Sequence, residues 1–280
     1  MLHRLPAELA LEILRAAAET FITSDRRTVV HLALTGSLIY DLVSPVLYQR
    51  LVVRASHSHK LAAVFNNKRI CTHIRELAIT DSDWRPPPSA SNLVGLRSLT
   101  GQSGPIALFL ETLPCGHPAL ARLRTVQLWN DVVLRGVPPT VTRVCLWLWQ
   151  IGDPQLQALV DWLESAPSVT QIACELVEHD EHRMKIVPER LVEALYAVLD
   201  AGGSRLENLS VRMAGNAAED PQWTAFLVAL RQYGKVDPRI RLWRDRRRIW
   251  DFEDDAKTST DDSFVGRDVW SEARPAIHCY

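Results

Sequence analysis

Six short stretches of this chain share one form. "HIRELAIT" (73–80), "LVGLRSLT" (93–100), "LARLRTVQLWN" (120–130), "VTRVCLWLWQ" (141–150), "SVTQIACELV" (168–177) and "SRLENLSVRM" (204–213) each carry an apolar residue, two further positions, a second apolar residue and then alternation. Alternation with period two belongs to a strand with one buried face. The second apolar positions, Leu77, Leu99, Val126, Val144, Ile172 and Leu209, are 22, 27, 18, 28 and 37 residues apart. Helical segments fill most of the gaps, the clearest being 153–167, 188–203 and 220–234. Asp-Pro opens the first and third, a cap followed by a first-turn proline, and Gly202-Gly203 closes the second. A short strand and a helix recurring every 20 to 30 residues or so mark a solenoid, because no single unit can bury its own apolar face. The expected class is therefore α/β, an irregular leucine-rich-repeat-like solenoid over residues 56–252. An ordinary α/β domain of alternating strands and helices is the other fold that this pattern allows. The asparagine that caps the turn after each strand in standard repeats is mostly absent, and Asn130 is the best placed.

"CLWLWQ" is apolar on both faces. Leu146 and Leu148 point to one side of a strand, while Cys145, Trp147 and Trp149 point to the other. A central strand covered on both sides accounts for this. Alternatively, Trp129, Trp147 and Trp149 line a partner surface, since tryptophan is enriched where proteins bind one another.

Residues 1–55 have a different rhythm, that of short helices. In "LPAELALEIL" (5–14), Leu5, Leu9 and Ile13 share one arc of a helix, whereas Leu11 and Leu14 fall nearly opposite. Only Glu8, Glu12 and Arg15 form a polar wedge, so two sides of this helix need covering. It should start near Leu5, with Pro6 in its first turn, and run towards Thr20. Ser24 or Asp25 then caps a second helical stretch reaching Val43, weakened or broken at Gly36. Ser44-Pro45 punctuates, and "VLYQRLVVRA" reads as a helical turn running into a strand.

The chemistry-bearing residues form no recognised constellation. His179 and His182, His57 and His59, and Cys115 and His117 lie close in sequence, but none belongs to a second ligand pair at zinc spacing. There is no Gly-x-Ser-x-Gly elbow, and "GQSGP" (101–105) lacks the lysine and spacing of a phosphate loop. A binding protein, not an enzyme, is expected, with no cofactor and no metal. The five cysteines are scattered and never paired as CxxC, which fits reduced thiols in a cytoplasmic or nuclear protein. A net charge of −1 gives no bulk attraction for nucleic acid, and no apolar run is long enough for a membrane span. Near the C-terminus Arg244, Arg246, Arg247 and Arg248 crowd together. Residues 253–280 open with the acidic run "EDDAKTSTDDS" and are expected to be a disordered tail that pairs with those arginines.

Residues 3–53 resemble an F-box, most closely the F-box proteins of filamentous and mushroom-forming fungi. The matching residues are Leu5, Pro6, Glu8, Leu9, Ile13 and Leu14 at the front and Leu47, Tyr48 and Arg50 at the back. The box is degenerate: Gln49 separates Tyr48 from the basic residue, and Leu34-Thr35-Gly36 replaces the usual middle. The resemblance implies that Leu5, Pro6, Leu9, Ile13, Leu14, Leu47 and Tyr48 form the contact with a Skp-type adaptor. Through that adaptor the chain would join a cullin-based ubiquitin ligase, with the repeats recruiting a protein substrate. A leucine-rich-repeat-like interaction scaffold without a ubiquitin-ligase role is the alternative.

Overall fold

Pro6 has no N–H to donate, so a helix can begin beside it at no cost. In the computed structural model, which describes residues 6–22, 25–54, 58–129, 138–148, 153–177, 187–214, 221–234, 236–245 and 274–275, Pro6 caps α1 (Ala7–Phe21). Asp25 caps α2 (Arg26–Ala33), its carboxylate accepting from the Thr28 N–H at 3.2 Å and the Thr28 hydroxyl at 2.6 Å. The helical stretch expected up to Val43 is two helices, because Gly36 takes an extended backbone between α2 and α3 (Ser37–Leu47). Pro45 does not end α3 as expected but lies inside it. Its missing N–H leaves the Asp41 carbonyl without its helical donor, and the Ser44 hydroxyl approaches that carbonyl at 3.4 Å. Ala18, Val29, Ala33, Val43, Val46 and Leu47 close a small core among the three helices.

The rest of the described chain is built on one open sheet. Its strands are β1 (Arg50–Val53), β2 (Glu76–Ile79), β3 (Ser98–Gly101), β4 (Thr125–Trp129), β5 (Arg143–Leu148), β6 (Gln171–Val177), β7 (Asn208–Ala214), β8 (Ile240–Asp245) and β9 (Arg274–Pro275). They lie in sequential order, parallel from β1 to β8, with β9 antiparallel against β8. Parallel neighbours require a crossover between them. These crossovers carry α4 (Ser58–Asn66), α5 (Lys68–Cys71), α6 (Ser103–Thr112), α7 (Pro118–Arg122), α8 (Asp153–Ser165), α9 (Pro188–Gly202) and α10 (Pro221–Gln232). Tight 3-10 turns at Pro88–Asn92 and Gly203–Arg205 complete them. The mixed α/β class is as expected. The tail expected from 253 onwards lies outside the described residues except for Arg274 and Pro275.

The repeated form in the sequence has a direct structural meaning. Leu77, Leu99, Val126, Val144, Ile172 and Leu209 are consecutive partners in one register row, and all six are buried. Leu51 and Ile240 extend the row at its two ends. The first apolar residue of each unit, Ile74, Leu96, Leu123, Val141, Val169 and Leu206, is buried in the turn before its strand. Helical residues such as Phe65, Phe109, Leu163, Leu195 and Phe226 pack on this face as one continuous core. On the other face the row runs Ala78, Thr100, Gln127, Cys145, Ala173 and Ser210; apart from the half-buried Gln127 its members are small and buried outside that core.

The strands are shorter than the stretches that announce them. Residues 93–97 form a turn before β3, and α7 occupies the start of the 120–130 stretch. Polar side chains tie these turns from one unit to the next. Thr140 donates to the Leu120 carbonyl at 2.6 Å, Ser168 to the Val141 carbonyl at 2.9 Å, and Arg205 to the Leu163 carbonyl. The Leu163 carbonyl also accepts from the Ala166 N–H at 3.2 Å, so Arg205 adds a second bond there. Gly101 replaces the inward apolar residue in β3. Its φ of +154° is open to glycine, and a Cβ there would meet the Ile79 carbonyl oxygen at 2.6 Å.

Candidate functional site

The two apolar sides of the first helix have different fates. Ala18 is buried in the small core, and Leu11 and Leu14, on the same side of the helix, are half-buried. Leu9 and Ile13, on the opposite arc, are each 43% exposed. Pro6 is exposed, and Leu5 lies outside the described residues.

The back of the motif is less open. Leu47 is a core residue of the three-helix module. Tyr48 is half-buried, with its hydroxyl 3.4 Å from that of Tyr40. That hydrogen bond, and then burial, raise the Tyr48 phenol above its ordinary pKa. Of the residues that the F-box resemblance singles out, Pro6, Leu9 and Ile13 therefore present a surface, Leu14 is half-buried and Leu47 packs inward.

The structure adds residues that the sequence reading passed over. Val30, Leu34 and Leu38 are exposed, Leu34 at 74% and Leu38 at 65%. Among the described residues nine large hydrophobic side chains are exposed, and Leu9, Ile13, Phe21, Val30, Leu34 and Leu38 are six of them. The signal was present in "LALTGSL", where leucines flank the helix-breaking Gly36. A turn cannot bury what projects from both of its ends, and these two leucines reach no core.

The tryptophans divide as well. Trp129 is half-buried at the end of β4 and pairs in register with Trp147 of β5. The row continues to Glu175, Arg212 and Trp243. Trp147 is described through its backbone only, and Trp149 lies outside the described residues.

His117 works as a helix cap. Its Nδ1 accepts from the Ala119 N–H at 3.2 Å, which leaves Nε2 to donate to the Ser91 carbonyl at 2.7 Å. Cys71, Cys145 and Cys174 are buried, and Cys115 is exposed. Burial pushes the Cys174 thiol up to about 12, so it is protonated at neutral pH and a poor nucleophile. His179 and His182 lie outside the described residues, as does His57. Among the described residues no group of three or more His, Cys, Asp or Glu is arranged to hold a metal ion. No described helix is long and apolar enough to cross a membrane.

Comparison of the chain with protein-family models, curated proteins and solved structures found no match.

Proposed function

We propose that this chain is a substrate receptor of an SCF-type ubiquitin ligase, with a degenerate F-box-like module leading into an irregular leucine-rich-repeat-like solenoid. The observation that carries the reading is the clustering of exposed leucine, isoleucine and valine between residues 9 and 38. Six exposed large apolar side chains on a unit with so small a core are what a surface completed by a partner would present. Apolar side chains of this kind are what an adaptor groove receives. The sequential parallel order of β1 to β8, with one register row built from the repeated apolar position, supports the solenoid.

The receptor carries out no bond chemistry itself. It raises the concentration of a substrate beside the transferring enzyme by holding both on one scaffold. The substrate would be held by the sheet domain, where Trp129 is one candidate contact.

Co-capture with a Skp-type adaptor tests the reading. Wild-type chain should retain the adaptor, and Leu9→Asp and Leu34→Asp should each lose at least tenfold in retention while keeping their thermal transition. Failure of the wild type to capture adaptor where a control F-box succeeds overturns the proposal and leaves the repeat scaffold without a ligase role.

A further inference from the structure

Outside the helical module, the turn before β3 is surrounded by arginines. Arg75 donates Nη1 to the Thr72 carbonyl at 2.8 Å and to the Gly95 carbonyl at 3.2 Å. Arg122 donates Nη1 to the neighbouring Val94 carbonyl at 3.2 Å. Arg124 donates Nη1 to the carbonyls of Ala121, Leu123 and Thr140. Arg97 is exposed and follows the same turn by two residues. The backbone fixes the spacing. The Arg97 N–H bonds to the Arg75 carbonyl at 2.7 Å, and the Arg124 N–H to the Arg97 carbonyl at 2.9 Å. Equivalent positions on paired strands lie about 4.8 Å apart, so these three arginines span about 10 Å across the N-terminal ends of β2, β3 and β4.

Three of the guanidiniums, those of Arg75, Arg122 and Arg124, are held in place without being neutralised. Arg75, Arg122 and Arg124 each engage the main chain through Nη1, and no described carboxylate pairs with any of the four arginines. Glu76, the acidic group nearest in sequence, is half-buried and in register with Arg50, while Asp41 pairs with Arg69. Burial and the charges of Arg97 and Arg122 lower the pKa of Arg75. Burial and the charges of Arg75 and Arg69 likewise lower that of His73. The chain also makes room for this grouping: a Cβ on Gly95 would collide with the Arg75 guanidinium. An arginine anchored by one nitrogen keeps its other edge oriented for a carboxylate, which lowers the entropic cost of the next hydrogen bonds.

We propose that Arg75, Arg97, Arg122 and Arg124 form a docking strip for a short, extended, Asp/Glu-rich segment of a partner protein. A peptide advancing about 3.3 Å per residue covers the strip in three to four residues. Nucleic acid fits less well, because it favours a longer basic track with stacking surfaces, and the chain as a whole carries a charge of −1. The strip does not rest on the adaptor reading, since it lies outside the three-helix module and its test involves no adaptor.

The test is the fluorescence anisotropy of labelled hexaglutamate titrated with the full chain at low salt. Wild type should bind, and binding should weaken as salt screens the charges. Arg97→Glu, at an exposed side chain, should weaken binding at least tenfold. Arg190→Glu on α9, the same charge change at another exposed site, should leave binding within twofold. Absence of wild-type binding, equal binding by wild type and Arg97→Glu, or an equal loss in Arg190→Glu overturns the proposal. So does equal or tighter binding of a six-nucleotide oligothymidylate.

Discussion

The first three helices and the sheet domain solve the burial problem in different ways. In the sheet domain each unit adds an apolar strand position and an apolar turn residue, and most add helical residues, to a core that runs through all the units. The three helices have six buried hydrophobic residues and leave as many large ones exposed. The sheet domain is therefore stabilised internally, while the helical module, on the proposed reading, is completed by what it binds. A mutation in one should act on folding, and in the other on association.

The largest test of that contrast is a pair of truncations. Leu209→Ala empties a fully buried position in the register row and should cost about 2–5 kcal/mol, read as a lower denaturant midpoint. Leu34→Ala removes the same atoms from a side chain that is 74% exposed and should change stability by no more than about 0.5 kcal/mol. Equal effects would break the distinction. A backbone test follows within the sheet domain. Gly101→Ala should cost about 1–3 kcal/mol, because the alanine must adopt an unfavourable φ and press on the Ile79 carbonyl. Chemical denaturation should show this loss without any effect on adaptor capture.

Acid is the mildest perturbation and reaches both regions. The Thr28 hydroxyl and N–H hold the Asp25 carboxyl below its ordinary value, and Arg239 does the same for Asp237 through a 2.8 Å ion pair. A depressed carboxylate stabilises the fold above its unfolded pKa, near 3.9. That contribution is lost as pH falls through the lower folded value. The stability difference between wild type and Asp237→Asn, and between wild type and Asp25→Ala, should shrink from pH 7 to pH 3. A difference that grows on acidification would contradict the geometry of both sites.

Much of the sheet was legible because its periodicity is local and its partners are equivalent. A residue such as Val144 or Ile172 recurs in the same setting in every unit, so comparing the stretches with one another was enough to find the row. Helices with Asp-Pro starts or a double-glycine end were found for a similar reason, since caps act within one turn. The expected boundaries failed where burial did not depend on strand structure. Leu96 and Leu123 are as buried in their turns as Leu99 and Val126 are in their strands, and hydrophobicity alone does not separate them.

The amino-acid order by itself determined the α/β class, the position of the shared apolar row and the presence of two apolar sides on α1, because each follows from spacing along the chain. It did not determine which of those sides is covered. Ala18 is buried and Leu9 and Ile13 stay exposed because α2 and α3 return to one flank of α1. Nor did it bring Arg75, Arg97 and Arg122 around one turn, since residues 22 and 25 positions apart become neighbours only through the parallel register of β2, β3 and β4. Charge and hydrophobicity are carried by residues, but adjacency between units is set by the sheet.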